Sequence, residues 1–175
     1  MIADFYSFFQ EEDDDDTISY YFITANGSLY YVYFDPYQYN QHISKYPALL
    51  KAGFGFGFQR MSPKEENSKD LKISLTISKI IADFISEHGE DIVLLYHCDY
   101  VDKKQRSRDR LFETWYKKSM NNSHFIKKRV EIKQTLKDGN EDLFYMGYLT
   151  SISNSQKAQV EYEFSTFAEY IVSGK

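Results

Sequence analysis

The residues best suited to chemistry lie together in the stretch 98–115, which holds Cys98, Asp99, Asp102, Gln105, Arg108 and Trp115. A thiol becomes a nucleophile when a nearby base or positive potential lowers its pKa. His97 is the base nearest in sequence, but neighbours on a strand point to opposite faces, so Cys98 reads first as a buried inert thiol and second as a nucleophile. Asp99 and Asp102 stand where a following helix, expected to run to Met120, would present the positive end of its dipole. At about 100° per residue Arg108 falls on the face made by Val101, Leu111, Phe112 and Trp115, where an unpaired cation is costly. Two arrangements remove that cost. Either Arg108 pairs with Asp99 or Asp102 in the interior, or Arg108 and Gln105 line a pocket at the carboxyl end of the preceding strand, where open sheets bind ligands.

Other chemistries lack the residues they need. His42, His88, His97 and His124 are scattered without metal-ligand spacing, and Asp99 with Asp102 alone makes no metal site. Residues 13–16 are all Asp but lack the glycine and terminal Glu of a calcium loop. Phosphate-binding, dinucleotide-binding and nucleophile-elbow motifs are missing, so the expectation is no metal and no cofactor.

The elements that would position this stretch are legible. Residues 17–35 form two aromatic and β-branched runs around Asn26 and Gly27, a hairpin signal. In 53–58 glycines alternate with Phe54, Phe56 and Phe58, which predicts a third strand with all three rings on one face and something lying close against Gly53, Gly55 and Gly57 on the other. Ser68 is the expected N-cap of a helix from Lys69 to His88, closed by Gly89, whose apolar stripe is wide enough to be covered on two sides. The continuous apolar run 92–98 predicts a buried central strand between parallel neighbours. Residues 124–135 and 142–153 flank a turn at 137–140 and form a second hairpin, and 160–172 reads equally as strand or short helix.

The expected fold class is therefore α+β: a mixed, mostly antiparallel sheet with two main helices in the order β-β-β-α-β-α-β-β, with residues 1–16 as an acidic segment and 17–175 as one domain. Over residues 18–152 this order resembles the N-acetyltransferase superfamily, in which the third strand and the next helix hold acetyl-CoA through a glycine-containing loop. The matching stretch here, 64–71, has no glycine and three acids. The resemblance implies an acyl-CoA-dependent acyltransferase, its acetyl-CoA lying against Gly53, Gly55 and Gly57. The residues themselves favour a non-catalytic binding or regulatory module, because carboxylates at a phosphate site repel the ligand. The stretch 98–115, with the aromatic hairpin and the Ile-rich helix, is also similar to a bacterial family of unknown function, numbered 6169 and associated with Bacteroidota. That likeness implies no activity.

Charge separates the ends of the chain. Seven acids and no base occupy the first sixteen residues, while 103–133 hold eleven bases against Asp109, Glu113 and Glu131. The basic stripe, with Trp115, Tyr116 and Phe125 interleaved, is the feature a nucleic-acid binder would use, but the net charge of −5 opposes nucleic acid at long range and favours a solvated face. Tyr20, Tyr21, Tyr30, Tyr31, Tyr33, Tyr37 and Tyr39 crowd the first hairpin and its exit, and point to a protein partner or a second copy docking there. With one cysteine, no basic-then-apolar leader at the start and no apolar run of membrane-spanning length, the chain reads as cytoplasmic with no membrane partner.

Overall fold

Three hairpins, each turning on a residue with positive φ, supply five of seven strands. The structure, a computed structural model, describes residues 4–61, 70–98, 103–119 and 124–173. Its elements are β1 (Phe8–Glu12), β2 (Ile18–Ile23), β3 (Leu29–Asp35), α1 (Asn40–Ile43), α2 (Pro47–Ala52), β4 (Gly53–Arg60), α3 (Leu71–His88), β5 (Val93–Cys98), α4 (Gln105–Ser119), β6 (Phe125–Thr135), β7 (Glu141–Ser151) and α5 (Lys157–Ser173). The sheet order is β1-β2-β3-β4-β5-β7-β6, and β4 with β5 is its parallel pair.

Several elements depart from the sequence-based expectation. Phe8–Glu12 is an edge strand, and the acidic run after it is its turn: the Asp13 amide donates to the Thr17 carbonyl at 2.9 Å, the Thr17 amide donates to the Asp15 carboxylate at 3.1 Å, and Asp16 takes φ 66°. Asp tolerates that region and its side chain accepts from nearby amides, so part of the acidic segment 1–16 serves as a turn. The exit from β3 folds into α1 and α2. Residues 160–172 belong to a third long helix, because Val160, Phe164, Phe167, Ala168 and Ile171 recur at helical spacing and bury one stripe. β5 has one parallel neighbour, β4, and one antiparallel, β7. Ser68 lies outside the described residues. Asp70 caps α3, accepting from the Lys72 amide at 2.9 Å and from the Tyr6 hydroxyl at 2.5 Å.

Two apolar layers sandwich the sheet. On one side α3 and α4 bring Ile77, Ile80, Ile81, Phe84 and Phe112 onto Phe22, Val32, Phe34, Phe56, Leu94 and Leu149. On the other, α1, α2 and α5 bring Ile43, Leu49, Val160, Phe164 and Phe167 onto Val93, Leu95, Ile132, Met146 and Tyr148. β5 contributes alternate residues to both layers, which is why its sequence is apolar without a break. No described residue of β1, β2 or β3 belongs to the second layer, so no described helix packs over the outer face of these strands.

One buried carboxylate ties the second layer together. Glu163 of α5, only 3% exposed, accepts from the amides of Ala48 at 2.9 Å and Leu49 at 3.0 Å at the start of α2, and from Gln159 at 2.9 Å. Replacing it by Ala leaves two donors without an acceptor, and Glu163→Ala is expected to lose about 2–3 kcal/mol in urea unfolding. Glu163→Gln, which keeps one acceptor oxygen, should lose less. Equal losses for both would show that the bonds to α2 are not the source.

Candidate functional site

β4 and β5 pair only at Gly53 with Val93, Phe54 with Leu94 and Gly55 with Leu95. Beyond that point each strand keeps its antiparallel partner, β4 pairing with β3 out to Arg60 and β5 with β7 out to Cys98. The two strands therefore part at their carboxyl ends, and a cleft of about 820 Å³ opens between them. Phe56, Phe58, Tyr96, Phe112 and Trp115 form its walls, with Tyr30 and Tyr33 at the β3 side and His97 and Cys98 at the β5 side. Its arginines and lysine among the described residues are the half-buried Arg60 and the exposed Lys104 and Arg108, and no described lining residue is acidic.

The aromatic walls follow from sequence. Alternation on β4 puts Phe54, Phe56 and Phe58 on the α3/α4 side. Phe58 meets Trp115 with ring centroids 5.1 Å apart and Phe112 at 6.3 Å, so α4 leans on β4 through rings. The opposite face of β4 is filled by the chain itself. A Cβ on Gly55 would fall 1.8 Å from Gln38 Oε1, and one on Gly57 would fall 2.5 Å from the Tyr33 hydroxyl; at Gly53 the Leu49 carbonyl is 2.4 Å away. Something does lie close against these glycines, and it is Gln38, Tyr33 and α2.

Of the sequence candidates, Cys98, Arg108 and Trp115 come together on the cleft. Asp99 and Asp102 lie outside the described residues. Arg108 is exposed at the cleft and not in the core, a correction to its placement on a buried helix face. Gln105 is buried away from the cleft, its Nε2 donating to Asp142 Oδ1 at 2.8 Å. The sequence reading did not include Arg60, and it named Tyr33, Phe58 and His97 without bringing them to the cleft. Arg60 ends the glycine-alternating strand, and position alone was the available signal.

Cys98 is buried, and burial, with Asp109 nearby, pushes its thiol up to about 11 from 9.0 despite Arg108, Lys127 and Arg129. Burial thus disfavours the thiolate that a nucleophile needs. His97 faces the other side of the sheet, where the Tyr39 hydroxyl meets its Nδ1 at 2.6 Å. No described cluster of His, Cys, Asp and Glu is arranged to hold a metal ion, and no described helix is long and apolar enough to cross a membrane.

The charge that α4 does bury is Asp109. Arg129 Nη1 of β6 donates to its Oδ2 at 2.5 Å, and Lys127, whose side chain is 3% exposed, pairs with Glu113 under the rings of Tyr96, Phe112 and Tyr116. Burial raises the Asp109 carboxyl above its ordinary value even against the pull of Arg129. One cation of the basic stripe, Lys127, is thus buried, and a second, Arg129, reaches from an exposed position to the buried Asp109 carboxylate. Gln105, Asp109, Phe112, Glu113 and Tyr116 recur at helical spacing, and that polar stripe was the signal for an inward-facing ionic seam.

A family model described as "Family of unknown function (DUF6169)" matches residues 69–165, which is more than half of the chain, and the chain belongs to that family. No curated protein matches the chain.

Two outcomes follow from the electrostatics. Arg129→Met removes the partner of the buried Asp109 carboxylate and is expected to lose about 1–2 kcal/mol in urea unfolding, the loss moderated because Arg129 is itself partly exposed, whereas Arg108→Met should stay within about 0.5 kcal/mol of the parent. The thiol of Cys98 and the phenols of Tyr20 and Tyr148, both pushed up to about 12 by burial, hold their protons more tightly folded than unfolded. Folded stability is then whole below about pH 9 and falls as pH climbs towards 12, because the unfolded chain releases protons first. Urea midpoints from pH 8 to 11 should drop, and Cys98→Ala should remove the part of that drop below pH 10.

Proposed function

We propose that this member of the family is a non-catalytic small-molecule-binding module on an acetyltransferase-like sheet, its ligand an anion with an aromatic or acyl group. The anionic end sits at Arg60, Lys104 and Arg108, and the apolar end lies against Phe56, Phe58, Phe112 and Trp115. The observation that carries this reading is the cleft at the parted ends of β4 and β5, rich in rings and cations and without an acid among its described lining residues. Its volume is in the range that holds small ligands, and its place at strand carboxyl ends is where open sheets bind them. Cys98, held as a thiol, supports binding over covalent chemistry.

The acyl-CoA-dependent acyltransferase is the second reading. The strand order, with one parallel pair that parts, supports the likeness to the N-acetyltransferase superfamily. Against it stands Asp70, whose carboxylate already takes an amide at the α3 N-terminus, where a pyrophosphate would need those donors.

Thermal melts with millimolar phenyl phosphate, octanoate and acetyl-CoA separate the readings. A bound anion at about 100 times its Kd contributes about 2.7 kcal/mol, or roughly 5–10 °C for a chain of this size. Phenyl phosphate or octanoate should give such a rise in the parent and little in Arg60→Ala or Trp115→Ala. A rise with acetyl-CoA alone, with thiol release when an amine is added, would select the acyltransferase. No rise with any of the three would overturn the cleft as a ligand site.

A further inference from the structure

The outer face of β1, β2 and β3 carries a row of stacked rings that no described helix covers. Phe9 stacks on Tyr21 with centroids 5.3 Å apart, Tyr21 meets Tyr31 at 5.2 Å, and Tyr31 meets Tyr33 at 5.6 Å. The row crosses three strands through the register Phe9, Tyr21, Tyr31 and then turns along β3. Phe9 is 57% exposed and its neighbour Ile23 on the same face 58%. The row is about as long as an extended segment of five residues, beyond what one small cation could cover.

Its charge is one-sided. The first 41 residues hold eight acids and no Lys, Arg or His. Strand alternation places Glu11 and Asp35 on the same face as the rings. Asp13 accepts from Ser19 Oγ at 3.0 Å, and that hydroxyl is 3.1 Å from the Tyr31 hydroxyl; Asp16 accepts from Tyr37 at 3.0 Å. Acids stand close enough to the rings that Glu11 and Asp13 help to raise the Tyr21 phenol, after burial and Tyr31, and Asp35 contributes at Tyr33. Phosphates are repelled from such a surface. A guanidinium is the group that suits it, because it stacks flat on a tyrosine ring and pairs in bidentate fashion with a carboxylate.

We propose that this face docks an extended, arginine-bearing segment of a partner polypeptide, with guanidinium groups stacked on Tyr21, Tyr31 and Tyr33 and paired with Glu11, Asp13 and Asp35. Charge complementarity and an uncovered ring row select this occupant over nucleic acid. The inference stands on different residues from the cleft, apart from Tyr33, which borders both.

The test uses the full chain and a fluorescein-labelled peptide of four Gly-Arg repeats, read by anisotropy. Binding is expected with a Kd of about 10–100 μM at low salt, weakening as salt rises. Tyr31→Ser, and separately Phe9→Ser at its exposed position, should each weaken it several-fold. Glu11→Gln with Asp35→Asn should weaken it about tenfold and flatten the salt dependence. Four Gly-Lys repeats should bind several-fold less well, since an ammonium cannot stack as a plane. Unchanged binding by folded Phe9→Ser and Tyr31→Ser, or no binding at millimolar peptide, would overturn the proposal. So would an oligodeoxythymidine that displaces the peptide, or a dimer in sedimentation that Phe9→Ser dissolves and the peptide does not.

Discussion

Three residue pairs hold the two halves of the sheet together, and the rest of the structure depends on how short that seam is. β1 to β4 form one antiparallel half and β5, β7 and β6 the other. Within each half the ladders are long, eleven pairs between β6 and β7. Strand twist accumulates in both halves, and a seam that ends at Gly55 and Leu95 lets them diverge. A longer seam would close the cleft. Glycine at 53 and 55 is part of why the seam forms there at all, since the Leu49 carbonyl and Gln38 press against those positions.

The same division organises charge. The N-terminal half carries its acids in a turn and along an outer face, with no cation before His42. The C-terminal half ties two of its cations to acids of α4, Arg129 to the buried Asp109 and the buried Lys127 to Glu113. Composition alone makes 103–133 look like one basic surface. The folded chain splits it into a partly buried ionic seam and a remainder outside that seam, which includes Lys104 and Arg108 at the cleft.

What was legible in the sequence follows from local rules. Gly27 and Gly139 at positive φ fix two hairpins, the Phe54, Phe56, Phe58 alternation fixes a face, and the unbroken run ending at Cys98 marks a strand covered on both sides. The misses arise where a residue serves two rules at once. Residues 13–16 are charged and also turn formers, and charge masked the strand before them. Arg108 shares a helical face with Phe112 and Trp115, but that face borders an opening, so sharing it does not bury the arginine. Asp109 was counted as an exception in a basic stripe, and its partner Arg129 lies twenty residues away, a pairing no helical period reveals. At the site, Cys98, Arg108 and Trp115 came from sequence, while Arg60 and Tyr33 became neighbours of α4 only through the sheet.

α4 is the element both halves share, and it is fastened to them differently. Its ionic edge is tied to β6, where Asp109 and Glu113 meet Arg129 and Lys127 in a place partly closed to water. Its other edge touches the N-terminal half through Phe112 and Trp115 on Phe56 and Phe58, ring contacts with no hydrogen bond among them. Breaking a partly buried ion pair strands a charge, whereas a ring contact is non-directional and can be replaced by contact with another apolar group. A ligand entering between β4 and α4 would therefore shift the ring contacts and leave the ionic edge in place. On the proposed reading, an aromatic or acyl group would replace ring contacts on the β4 side of α4 and leave its ion pairs with β6 in place.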